Sequence, residues 1–117
     1  MKLITAMIRS DKLEAIQTAV AERDASVTYA SEVTDFREPV TAAYRGSRYR
    51  TYRQKMRVEI VVVNDLMVQE VVDAIVQAAS IDDSGRNGNS SIFVTTLDQW
   101  VRIPGGCPQS NLDTVSS

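Results

Sequence analysis

The apolar positions of the chain change period several times, and each change marks an element. Residues 2–9 (KLITAMIR) carry Leu3, Ile4, Ala6, Met7 and Ile8 almost without interruption, which predicts a short, well-buried strand. Ser10 and Asp11 offer helix caps, with Glu14 in the first turn. Leu13, Ile16 and Val20 then recur at helical spacing, flanked by Ala15 and Ala19, and this helix is expected to end near Arg23 and Asp24. Residues 26–34 (SVTYASEVT) are rich in β-formers and predict a second strand. Residues 36–56 show no sustained apolar period, and Pro39 and Gly46 interrupt them, so a long loop with strand-like stems is expected.

Residues 57–64 (RVEIVVVN) are the clearest strand. The run Ile60-Val61-Val62-Val63 predicts a central position covered on both faces. Asn64 and Asp65 can cap a second amphipathic helix, whose apolar face is Val68, Val71, Val72, Ile75, Val76 and Ala79. Residues 81–91 (IDDSGRNGNSS) read as a polar loop, residues 91–97 (SIFVTTL) as a fourth strand. Residues 106–117 are turn-rich and polar and are expected to form a flexible tail after one domain of residues 1–105. The order β-α-β, long loop, β-α-β predicts an α+β fold of the ferredoxin-like βαββαβ type: a four-stranded antiparallel sheet with two helices on one face. The other face then needs a cover, and self-association is the simplest one.

Composition narrows the function. With 117 residues, 44% hydrophobic and 24% charged, the chain suits a single soluble domain with little core to spare. There is no histidine and one cysteine, Cys107, so intrachain disulfides are excluded, a zinc site is not expected, and the commonest general base is missing. No nucleophile–base pair can be named, and an enzyme is not expected. The opening MKLITAMIRSDKLE lacks the long apolar stretch of a signal peptide, and no run nears the roughly 20 apolar residues of a membrane span. A cytoplasmic protein is expected. The net charge of −2 gives no general pull toward nucleic acid, yet six of the thirteen Lys and Arg residues fall between Arg45 and Arg57, and no Asp or Glu lies between Glu38 and Glu59.

Four stretches carry a family resemblance: residues 1–13 with Lys12-Leu13; Glu32-Val33 through Phe36; Tyr44-Arg45-Gly46-Ser47-Arg48-Tyr49 (YRGxxY), followed by Lys55 and Val58-Glu59-Ile60-Val61-Val62; and Ile92-Phe93-Val94 with Val101-Arg102-Ile103. Together they resemble the PII signal-transduction family over about the first 105 residues. The resemblance implies a homotrimer that binds an adenine nucleotide in clefts between subunits and acts on a protein target, a transporter or a metabolic enzyme, through a projecting T-loop, here about residues 36–56. It carries nucleotide-binding roles to Met7, Tyr29, Asp35, Phe36, Glu59, Val61, Gly85, Arg86, Asn87, Gly88, Asn89, Ser90, Ser91 and Arg102. It carries partner-binding roles to Tyr44, Arg45, Gly46, Arg48, Tyr49 and Arg50, with no catalytic or metal-binding residue and no cofactor beyond regulatory ligands. By composition alone, residues 82–91 are an ordinary turn. Matched to the family's phosphate-cradling B-loop, their glycines free backbone N–H groups for phosphate and Arg86 adds a charged donor.

The chain departs from the family pattern where charge is concentrated. The closing lysine of TGxxGDGK is Ser91, and the RxR pair is Arg102-Ile103-Pro104. Two phosphate-facing cations are gone, so ADP or AMP is expected to bind in preference to ATP. The T-loop stretch Phe36-Arg37-Glu38-Pro39-Val40-Thr41 lacks the family's glutamine for magnesium and 2-oxoglutarate, while Lys55 at the loop base remains as the candidate ligand of a small anion. In this the chain resembles small PII-like proteins tied to bicarbonate uptake or carboxysomes, so bicarbonate is the expected anion, and recruitment to a carboxysome or a membrane transporter is the corresponding location. Tyr49 is read as an interface aromatic with Tyr44 and Tyr52, and the basic run is read first as a docking surface for an acidic protein patch. Two alternatives share the topology: an ACT-like small-molecule module, and an RRM-type nucleic-acid binder. The second is disfavoured because RVEIVVVN carries no aromatic for base stacking.

Overall fold

The structure, a computed structural model, describes residues 1–80, 90–104 and 114–115. It comprises β1 (Lys2–Ile8), α1 (Leu13–Ala21), β2 (Tyr29–Tyr44), β3 (Ser47–Val62), α2 (Val68–Ser80), β4 (Ser91–Thr96), β5 (Trp100–Val101) and β6 (Thr114–Val115). The first four strands in the order β2-β3-β1-β4 make one antiparallel sheet. The expected α+β architecture is therefore observed.

Register explains the burial. Ile4 lies opposite Ile60 on β3 and opposite Val94 on β4. The period of two then places Ile4, Ala6 and Ile8 with Val58, Ile60 and Val62 on the helix side. There they pack with Ile16 and Val20 of α1 and Val71, Ile75, Ala78 and Ala79 of α2. The opposite side carries Leu3, Thr5 and Met7 beside Val61, Glu59 and Arg57. β3 is central, as expected, but among the described residues the helices cover only one of its faces, and Glu59 and Val61 on the other are half-buried.

The helix ends differ in detail from expectation. Ser10–Lys12 form one 3-10 turn ahead of α1, no side chain caps it, and Asp11 instead accepts a hydrogen bond from Arg9 Nη2 at 2.8 Å. Asn64 does cap, accepting from the Leu66 backbone N–H at 3.0 Å. Asp24 adopts a left-handed φ of 56° just past α1, while the Ala25 N–H closes onto the Val20 carbonyl at 3.1 Å.

The largest difference lies at residues 36–56. β2 and β3 run as a single long hairpin to Tyr44 and back from Ser47, where a long loop with strand-like stems alone was expected. Gly46 does not break the arm but turns it: Arg45 (φ 50°) and Gly46 (φ 81°) are both left-handed, the geometry of the two-residue turn whose twist matches the strands. Pro39 sits at a shift of register. Asp35 pairs with Arg53 and Pro39 with Tyr52, so Phe36, Arg37 and Glu38 are extra residues inserted against two successive residues of β3. Backbone pairing holds such an arm without an apolar period, which is why periodicity overlooked it. Beyond β4, Trp100–Val101 pairs with Thr114–Val115, and the rest of the tail lies outside the described residues.

Ile60 is fully buried at the centre of this sheet. Ile60→Ala is expected to cost about 2–5 kcal/mol, against less than about 0.5 kcal/mol for Thr18→Ala on the exposed side of α1. Urea unfolding of both variants checks this, and equal losses would contradict the one-sided core.

Candidate functional site

The three-residue insertion in β2 adjoins a cluster of charged side chains, Asp35, Arg37 and Lys55. Asp35 is the last paired residue before it, and Lys55 lies opposite Val33 on β3, on the same open side of the sheet. Both are nearly covered, at 8% and 2% exposure, and Lys55 Nζ approaches Asp35 Oδ2 at 3.2 Å. Arg37 folds back onto the same carboxylate. Its backbone N–H donates to Oδ1 at 2.9 Å, its Nε to Oδ1 at 3.2 Å and its Nη2 to Oδ2 at 3.1 Å. The backbone contact, from residue i+2 to an aspartate side chain, is an Asx-turn, and it fixes the start of the insertion. Hydrogen bonds from Arg37, side chain and then backbone, hold the Asp35 carboxyl well below the usual carboxylate range, and Lys55 adds to this against the opposing effect of burial.

These groups line a cavity of about 320 Å³ with Met7, Val33, Thr34, Phe36 and Phe93. Phe36 is exposed, and its ring meets Tyr52 edge-on at 4.9 Å. Of the residues expected to hold nucleotide or anion, Met7, Asp35, Phe36 and Lys55 thus come together. Tyr29, Glu59 and Val61 lie farther along the same open side, with Tyr29 opposite Glu59 and Glu59 paired to Arg57 at 3.4 Å. Ser90 and Ser91 line a second cavity of about 290 Å³ with Ile8, Ile75 and Ile92. The Ser91 Oγ is buried there without a hydrogen-bond partner among the described residues. Arg102 lies past β5, its guanidinium 5.1 Å from the Trp100 ring. Gly85, Arg86, Asn87, Gly88 and Asn89 lie outside the described residues.

Tyr44, Arg45, Gly46, Arg48, Tyr49 and Arg50 occupy the exposed end of the hairpin. Arg45 stacks 5.3 Å over Tyr44, and Arg50 lies 5.9 Å over Tyr52. Sequence reasoning missed Arg37, Val33, Thr34 and Phe93 as site residues. Arg37 had a readable signal, an Asp two residues before a cation, but the Asx-turn that joins them needed the inserted residues to be seen. Among the described residues, no cluster of His, Cys, Asp and Glu could hold a metal ion, and no helix is long and apolar enough to cross a membrane.

The family model described as Nitrogen regulatory protein P-II matches residues 1–106. The chain belongs to the P-II family. It is 38% identical over 109 residues to the nitrogen regulatory protein P-II of Nostoc punctiforme, covering 91% of this chain and 94% of that one. It is 38% identical over 112 residues to P-II 2 of Methanothermobacter thermautotrophicus, covering 91% of each chain, and 34% identical over 118 residues to P-II of Bradyrhizobium diazoefficiens, covering 98% and 100%. The general role is that of a P-II regulatory protein, and the sheet with its two helices is the P-II fold.

Within this P-II chain the Asp35 cluster has a sign that can be checked. The folded carboxyl titrates below its unfolded counterpart, so its stabilisation is present above the ordinary aspartate value of 3.8 and is lost as pH falls from there through the depressed folded value. The facing charged groups are Arg37, Lys55 and, opposite in register, Arg53. Urea midpoints of the unmodified protein and Asp35→Asn are expected to differ most at neutral pH and to converge below about pH 4. A gap that stays constant through that window would mean that the charge contributes nothing.

Proposed function

We propose that this P-II protein is a non-enzymatic sensor. It forms a homotrimer, binds ADP or AMP more tightly than ATP in its inter-subunit clefts, and acts on a protein target through the β2–β3 hairpin. The observation that supports this best is the convergence of Met7, Asp35, Phe36 and Lys55 around one cavity at the foot of that hairpin, in a chain matched to the P-II family along residues 1–106. A ligand held there touches the joint between sheet and arm. The side of the sheet away from the helices supports the trimer, since it presents Leu3, Met7, Val61 and a half-exposed Phe93, with neither helix packed over them. Where β1 and β3 pair, over Lys2–Ile8 and Met56–Val62, neither strand carries an aromatic, which weakens an RRM-type reading.

The preference for fewer phosphates follows from Ser91 and Pro104, neither of which can supply a cation. A charge-assisted hydrogen bond is worth about 1.5–3 kcal/mol, so two missing ones lower relative ATP affinity by tenfold or more. On this reading a small anion, bicarbonate first, is met by Lys55 and by the more exposed Arg37. The target is a transporter or metabolic enzyme with an acidic surface, because the outer arm carries Arg45, Arg48 and Arg50 with no acidic residue near them in sequence.

Calorimetric titration with ADP, AMP and ATP is expected to show the triphosphate weakest, and Ser91→Lys with Pro104→Arg is expected to restore ATP more than AMP. ATP binding at least tenfold tighter than both others to the unmodified protein would overturn the preference. Light scattering is expected to give about three times the 12.9 kDa chain mass, and a stable monomer at micromolar concentration would remove the inter-subunit cleft.

A further inference from the structure

Lys55 stands out as a cation already supplied with an anion. Its side chain is 3% exposed, and the Asp35 carboxylate lies 3.2 Å from its ammonium, on a side chain 7% exposed and held by three hydrogen bonds from Arg37. A lysine kept ready for a free anion would leave its ammonium facing the cavity. Here a carboxylate of the chain itself sits in that place and also engages the neighbouring guanidinium. An incoming small anion meets two cations that already share one carboxylate, and it must take donors that Asp35 now holds.

We infer that Asp35 is a specificity-determining residue: an internal carboxylate that competes with small anions for Lys55 and Arg37 and so raises the concentration at which the cavity accepts them. The inference deepens the anion reading proposed above and rests on it. The geometry has one more consequence. Asp35 Oδ1 also accepts the Arg37 backbone N–H at 2.9 Å, so the group that gives way to the anion is the one that pins the first inserted residues of the hairpin. Filling the cavity therefore acts first on the foot of the arm.

The charge and the turn can be separated. Asparagine keeps a side-chain oxygen for the Arg37 N–H and removes the negative charge, and serine supplies a shorter acceptor for the same turn. Sodium bicarbonate is titrated into the nucleotide-free protein, Asp35→Asn and Asp35→Ser at mildly alkaline pH, each variant first shown to be folded by circular dichroism. The expected result is bicarbonate affinity about tenfold higher or more in at least one variant, with heats that vanish when Lys55→Met is added. Affinity unchanged or weakened in both folded variants overturns the inference, as does bicarbonate binding by none of the proteins. ADP is titrated in parallel. Its failure to bind any of them defeats the nucleotide reading alone, whereas retained ADP binding with unchanged bicarbonate affinity defeats the role of Asp35 alone.

Discussion

The antiparallel register of β1 on β3 governs the rest of the molecule. With Ile4 opposite Ile60, the period of two sends Ile4, Ala6, Ile8, Val58, Ile60 and Val62 beneath the helices and turns Thr5, Glu59 and Arg57 away from them. A slip of one residue would place Glu59 and Arg57 in the core and expose the isoleucines, so no intermediate arrangement competes. The sheet is consequently one-sided. Its second side is apolar at Leu3, Met7, Val61 and Phe93 and charged at Lys55, Arg57 and Glu59, a mixture suited to contact with another surface and to a ligand at the same time.

The Asp35–Lys55 pair follows from that one-sidedness. Neither group belongs to the helix-facing core, yet both are largely removed from water, beside the insertion in β2. A lone ammonium in such a place would be strongly disfavoured, and an ion pair offsets the loss only when further donors complete it. Arg37 completes it. Its backbone and side-chain donors converge on one carboxylate, so the bend in the strand and the ion pair are a single device. This geometry bears on one place, the joint between the sheet and the arm.

The arm is a different kind of structure from the domain that carries it. Its pairing is extensive but its side chains are exposed, so it is held by backbone hydrogen bonds, by cross-strand contacts such as Gln54 Nε2 donating to Thr34 Oγ1 at 3.0 Å, and by the left-handed turn at Arg45 and Gly46. Little hydrophobic burial opposes local opening of such a ribbon. Arg45, Arg48 and Arg50 at its end repel one another and attract acidic surfaces, an interaction that salt weakens over about 10 Å.

Much of the domain was legible in the sequence, because strands and helices that bury one side reveal themselves by period. β1, β3, β4 and both helices could be read from Ile4, Ile60, Ile16, Val71 and their neighbours. The motif YRGxxY and the strand after Lys55 likewise pointed to the family, and with it to Met7, Asp35, Phe36 and Lys55. The hairpin could not be read this way, since an exposed ribbon satisfies its backbone without burying a regular apolar side, and Pro39 and Gly46 look like breakers until the register shows one at an insertion and the other in the turn. Nor could the sequence show that Lys55 is already paired. Asp35 and Lys55 are far apart along the chain, and only the folding of β2 onto β3, with three inserted residues returning Arg37 to the same carboxylate, brings their charges within reach. Local pattern determined which segments form and which side they bury, because burial is periodic. Tertiary structure decided which charges meet, because electrostatic pairing depends on distance in space and leaves no period along the chain.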